Sequence, residues 1–148
     1  MSLVTHMLIH YPEVQEKVQE ELLSVLRPEE TITYSSIQNL PYMTSVIQET
    51  LRLYPPAFAF LPENKSRINT MAMQAFGNGP RNCIGMRFAY MELRYTFAHI
   101  LRKYRLEKTE NSEKDPPSID MNPLVLKIKG GVRVRAVPLR FAAHSKTR

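Results

Sequence analysis

Residues 76–85 read FGNGPRNCIG and hold the only cysteine of the 148-residue chain, framed by Gly77, Gly79 and Gly85, with Arg81 two positions ahead of the thiol. A thiolate is the reactive and metal-binding form of cysteine, and the unpaired amides of a helix N-terminus stabilise its charge. A helical period begins directly after Cys83, so the thiol sits where such a terminus is expected. The three glycines strip side chains from the surrounding backbone, which permits tight turns and lets a flat or bulky partner come close. Glycine spacing and the nearby positive charge point to a ligand. Burial as a structural thiol is the alternative reading, since free cysteines are among the most buried residues.

Outward from the loop, Met86, Ala89, Leu93, Phe97, Ile100, Leu101 and Tyr104 recur three or four apart, which predicts a helix over 85–105. Upstream, Pro41 opens a second period through Met43, Val46, Ile47, Leu51 and Tyr54, a helix over 41–54 ended by Pro55 and Pro56. A third runs over 11–27: Pro12 suits a first helical position, Glu13 the positive end of the dipole, and Val14, Val18, Leu22 and Val25 form one stripe, with Glu and Gln on the other face, until Pro28. PEETITYSS at 28–36 reads as a polar connection and EKTENSEKDPPS at 107–118 as an exposed linker. Over 57–75 the period is lost, a long irregular stretch for a compact domain. At 124–138 apolar residues alternate with Lys127, Lys129, Arg133 and Arg135 on either side of Gly130 and Gly131, which predicts a β-hairpin.

The length suits one domain, and 43% hydrophobic with 23% charged residues is ordinary globular composition. Twenty Lys and Arg against fourteen Asp and Glu leave a formal charge of +6, which favours anionic partners. The positive residues are spread over helix and strand patterns, so solvated faces and guarded strand edges account for most of them, and no nucleic acid is expected. One cysteine excludes an internal disulfide and the multi-thiolate zinc patterns. The opening MSLVTHMLIHY is interrupted by two histidines and stopped by Pro12, too short for a membrane span, and it lacks the basic start and cleavage site of a signal peptide. A soluble or peripheral chain is expected.

The loop fits the pattern FxxGxRxCxG at Phe76, Gly79, Arg81, Cys83 and Gly85, and there it resembles the haem-binding loop of the cytochrome P450 family, the haem-thiolate monooxygenases. The resemblance implies haem as cofactor and Cys83 as axial iron ligand, Phe76 beside the sulfur, Arg81 paired with a haem propionate and Gly85 admitting the next helix close to the porphyrin. Glu49 and Arg52 of ETLRLYPP, three apart on a helix, read on their own as a surface ion pair. In context they resemble the family's ExxR element, a buried structural pair. YPEVQEKVQEEL, MRFAYMELR and KIKGGVRVRAVP resemble the helix before ExxR, the helix after the ligand and the terminal hairpin. The implied fold is a partial cytochrome P450 fold, mainly α with a small β part and of eukaryotic microsomal type. The implied activity is insertion of one oxygen atom from O2 into a small, often lipophilic substrate, with a reductase as electron donor, at the cytosolic face of the endoplasmic reticulum.

The chain also departs from that pattern. Thirty-three residues separate Glu49 from Cys83, where the family has a clearly longer segment. FLPEN resembles the end of that segment, but Asn64 stands where arginine is usual and Lys65 where an aromatic is usual. The family's oxygen-activating helix would precede His6, so no catalytic residue is assigned. The expectation is an incomplete family member, inactive by itself, with a non-enzymatic remnant or partner-binding fragment as the alternative. A cysteine nucleophile using His6, His10, His99 or His144 as base is a third reading.

Overall fold

The computed structural model describes residues 1–27, 30–55, 75–77, 79–122 and 125–139. Pro12 and Pro41 each stand at the first position of a helix, where the missing N–H has no intrahelical partner to lose. They open α2 (Pro12–Val25) and α4 (Pro41–Leu53), close to the predicted bounds. Two further helices escape the sequence reading: α1 (Ser2–His10), and α3 (Tyr34–Gln38), which starts in a capping box where Ser36 N donates to Thr33 Oγ1 and Thr33 N to Ser36 Oγ. A 3-10 turn at Gly79–Arg81 precedes α5 (Met86–Leu101).

The stripes converge. Val18 and Leu22 of α2, Met43 and Ile47 of α4, and Phe97 and Leu101 of α5 are buried in one core cluster, joined by Val4 and Leu8 of α1 and Ile37 of α3. Each such side chain contributes about 1.5–3 kcal/mol by leaving water. The polar face assigned to α2 is not all solvated. Gln15 and Gln19 are buried because the core needs donors and acceptors there: Gln15 Nε2 donates to the carbonyls of Leu8 and Leu106 at 3.1 and 2.9 Å, and its oxygen accepts from Leu106 N at 2.7 Å. Gln19 Nε2 donates at 3.1 Å to the carbonyls of Leu101 and Tyr104.

That last contact marks a correction. Helix α5 stops at Leu101, and Tyr104 lies in β1 (Tyr104–Glu107) rather than on the predicted helix to 105. Gln19 gives the Leu101 carbonyl of the last turn a donor as the chain leaves the helix.

The predicted hairpin at 124–138 is also corrected. β3 (Val125–Ile128) pairs antiparallel with β2 (Ile119–Asn122), and β4 (Arg135–Pro138) pairs antiparallel with β1. Gly130 and Gly131 do turn the chain, at φ 80 and 79, with Gly131 N donating to Ile128 O at 3.0 Å. The flanking strands then part. Lys129 N donates to Ser118 O, continuing the β2–β3 pairing, whereas Val132 and Val134 pack on the core and carry the chain to the edge offered by β1.

Nor is 107–118 a free linker. Pro117 is buried, Asp115 accepts from His6 and Tyr11, and Ser112 Oγ donates to Arg133 O. The irregular stretch assigned to 57–75 lies outside the described residues up to position 74, as do Pro28, Pro56, Asn64, Lys65 and His144.

Candidate functional site

The loop ahead of α5 is closed by its own backbone. Cys83 N donates to Phe76 O at 2.7 Å, Asn82 N to Gly79 O at 3.1 Å, and Met86 N to Cys83 O at 3.3 Å where the helix begins. Gly77 and Gly79 adopt φ 75 and 80, a region that costs an L residue about 1–2 kcal/mol, so the turn itself demands glycine at both places.

Gly85 is different. As N-cap of α5 it has an ordinary φ of −87, and a Cβ there would meet only the Cys83 sulfur, at 3.8 Å. Among the described residues neither backbone nor packing calls for glycine at 85; the missing methyl leaves room beside the sulfur. Cys83 is exposed, as are the apolar Ile84, fully, and Phe88, at 64%, and the polar Asn82 and Arg87. Arg81 is exposed on the 3-10 turn. Phe76 is half-buried and packs on Tyr90 of α5 with ring centroids 5.3 Å apart, which moors the loop to the helix, and burial raises the Tyr90 hydroxyl above the usual tyrosine value.

The structure thus brings Phe76, Gly79, Arg81, Cys83 and Gly85 into one loop at the head of α5. Glu49 and Arg52 stand apart on α4, joined by two hydrogen bonds of 2.7 and 2.6 Å. Both are about half exposed, at 53% and 47%, not buried as the resemblance implied, because they project from α4 opposite its core stripe of Met43, Ile47 and Leu51. The Arg52 guanidinium holds the Glu49 carboxyl below the usual carboxylate range.

The described surface includes two grooves flanked by α-helices. One of about 420 Å³ is lined by Met7, Tyr11, Val14, Val46, Glu49 and Leu53 between α1, α2 and α4; the other, of about 310 Å³, runs between Tyr34 and Ile37 of α3 and Phe88, Met91 and Tyr95 of α5. Cys83 lines neither. No histidine hydrogen-bonds to Cys83 among the described residues: His6 faces Asp115, His10 faces the His6 carbonyl, and His99 packs at a tilt on Tyr95 with ring centroids 4.5 Å apart, sixteen residues along the chain from the thiol. The cysteine-nucleophile reading has no base in these positions.

The donor set narrows the chemistry further. Among the described residues no three His, Cys, Asp or Glu side chains gather as metal ligands. Ile84 and Phe88 were not singled out from sequence. Phe88 left a signal, since it falls outside the stripe of Met86, Ala89 and Leu93.

A family profile described as Cytochrome P450 matches residues 1–62 and 58–134. The chain is similar to "Lithocholate 6-beta-hydroxylase" of Mesocricetus auratus, 31% identical over 86% of this chain and 36% of the relative. It is also similar to "Leukotriene-B4 omega-hydroxylase 3" of Mus musculus (28%, covering 97% and 36%) and to "Cytochrome P450 3A7" of Homo sapiens (27%, covering 99% and 36%). The chain spans about a third of the length of the curated relatives it matches. The last alignment runs over 192 positions, more than this chain possesses, so that relative carries residues inside the matched span that have no counterpart here. The profile matches in two stretches that meet at 58–62. Among the described residues no helix is long and apolar enough to cross a membrane.

Proposed function

Because this chain belongs to the cytochrome P450 family, whose members use haem, we propose that residues 76–85 form the thiolate side of a haem site, with Cys83 as the axial ligand. The observation that carries this is the exposed sulfur on a backbone-closed loop, with a glycine beside it that nothing among the described residues requires. The residues fit the group on this side. Cys83 Sγ would hold the iron, Gly85 would leave room for the ring, and the exposed Ile84 and Phe88 would offer it apolar contact. Arg81, exposed two residues before Cys83, would pair with a propionate, a charge-assisted contact stronger than a neutral hydrogen bond. Phe76 holds the loop on α5 through Tyr90. Haem bound through a thiolate supplies the electron push that favours O–O cleavage, the property for which the family's ligation is known.

The corresponding reaction is insertion of one oxygen atom from O2 into a small lipophilic substrate, with electrons from a reductase, at the cytosolic face of the endoplasmic reticulum. A second reading, haem held without turnover, is favoured by the half-exposed Glu49–Arg52 pair and by a thiol that lines neither groove. A site open to water loses the dry pocket that oxygen chemistry needs.

Competition between hemin and a thiol reagent tests the assignment. Equimolar hemin is expected to slow alkylation of Cys83 by iodoacetamide at least tenfold, by the logic of ligand protection, and alkylation first is expected to block hemin uptake. Unchanged alkylation at saturating hemin rejects it. Product formation from a lipophilic substrate with an electron donor separates the two readings.

A further inference from the structure

Helix α1 is joined to the loop ahead of β2 by a histidine with one satisfied and one orphaned nitrogen. His6 is fully buried. Its Nε2 lies 3.3 Å from Asp115 Oδ1, and the other oxygen of that carboxylate accepts from the Tyr11 hydroxyl at 3.1 Å. One turn on, the His10 Nδ1 faces the His6 carbonyl at 2.9 Å, and the two rings lie 4.2 Å apart. Among the described residues His6 Nδ1 has no hydrogen-bond partner.

This geometry selects the neutral ring. With Nε2 donating to the carboxylate, Nδ1 carries only a lone pair. A second proton would create a buried N–H with no acceptor, at a cost of about 1–3 kcal/mol or more for a charged group. Burial accordingly holds His6 below the ordinary histidine value, with His10 acting the same way, against the pull of Asp115 and Glu113. Among the described residues the titratable groups bearing on the ring are His10 on its own helix, Asp115 and Glu113 from the facing loop, and Tyr11 acting through Asp115. Burial alone would raise the Asp115 carboxyl, but hydrogen bonds from His6 and Tyr11 outweigh it and keep that group below the usual range, so it stays ionised while His6 titrates.

We propose that His6 and Asp115 form an acid-released latch, which holds α1 against residues 113–118 at neutral pH and opens on acidification while the core of α2, α4 and α5 stays folded. A ring whose closed-state value is lowered favours the closed form fully above the ordinary histidine value. The closed form loses ground as pH falls below that value, until the closed-state value is reached. Opening takes Met7 and Tyr11 away from the groove they line with Val14, Val46 and Leu53, so the latch governs that surface.

Hydrogen exchange on the whole chain, corrected for intrinsic rates, tests the latch. Between about pH 7.5 and about pH 5.5, opening of α1 and of the Lys129 amide bonded to Ser118 is expected to rise together, by up to about tenfold for an open ring titrating near 6.5. Amides of α4 and α5 are expected to stay put. His6→Gln keeps a donor for Asp115 but cannot titrate, and is expected to flatten the response. No rise, an equal rise in His6→Gln, or α4 and α5 opening in step each overturns the latch. Should the variant fail to fold, the His6 ring titration by NMR in the unaltered chain decides: a midpoint below the ordinary histidine value supports the latch, and one at or above it overturns it.

Discussion

The two ends of α5 are built for different purposes. At its C-terminal end Phe97, Ala98 and Leu101 are buried, Gln19 takes the Leu101 carbonyl, and Arg102 Nη1 donates to Glu30 O. At its head Cys83, Ile84 and Phe88 stand in solvent, and the ties among the described residues include the loop's backbone hydrogen bonds, the Phe76–Tyr90 contact and a hydrogen bond between Tyr90 and Gln48 of α4. One end stabilises the chain, and the other presents the thiol proposed as a haem ligand. A helix anchored at its far end holds a loop in place without filling the space in front of it.

The sharpest way to break this contrast is to strike the anchored end. Phe97→Ala removes a buried ring from the shared core and is expected to cost about 3–5 kcal/mol, seen as a large drop in the urea midpoint. Gln15→Ala strands the carbonyls of Leu8 and Leu106 and the Leu106 amide, and is expected to cost about 2–3 kcal/mol by the same denaturation curve. At the presenting end the effects shrink. Gly79→Ala forces a side chain into φ 80 and is expected to cost about 1 kcal/mol, with a larger fractional loss of hemin affinity than of stability. A loop whose affinity and stability fell alike would count against its separate role.

The smallest effect is expected at the exposed pair. Glu49→Gln is predicted to leave the urea midpoint unchanged at neutral pH, since solvent screens a pair about half exposed. The Glu49 carboxyl is lowered by its hydrogen bond to Arg52, so any contribution is present above the ordinary glutamate value and fades as pH falls through the lowered one. A clear loss of stability on substitution would show that the pair does the core work implied by the family resemblance.

What the sequence made legible follows the range of the interactions. Helices α2, α4 and α5 were readable because Pro12, Pro41 and the stripes through Leu22, Ile47 and Phe97 are local signals. The cysteine loop was readable because its glycines and arginine are set at fixed spacing around one thiol. Strand partners were not. Alternation on both sides of Gly130 and Gly131 looks the same whether the strands pair with each other or, as here, with Tyr104–Glu107 and Ile119–Asn122. Gln15 and Gln19 looked like surface residues because their acceptors lie more than eighty positions away, apart from Leu8. Asp115 sat in a polar run whose partner, His6, is 109 positions distant. The exposure of the Glu49–Arg52 pair likewise depends on what packs over α4, which spacing does not report.

The account rests on sulfur from Cys83 binding haem iron, and the ferrous carbon-monoxide difference spectrum of the hemin-loaded chain reads that bond directly. A red-shifted, thiolate-type Soret band that disappears in Cys83→Ser, with the urea midpoint unmoved, is the predicted result. The same band in Cys83→Ser, or none in the unaltered chain at saturating hemin, would contradict it.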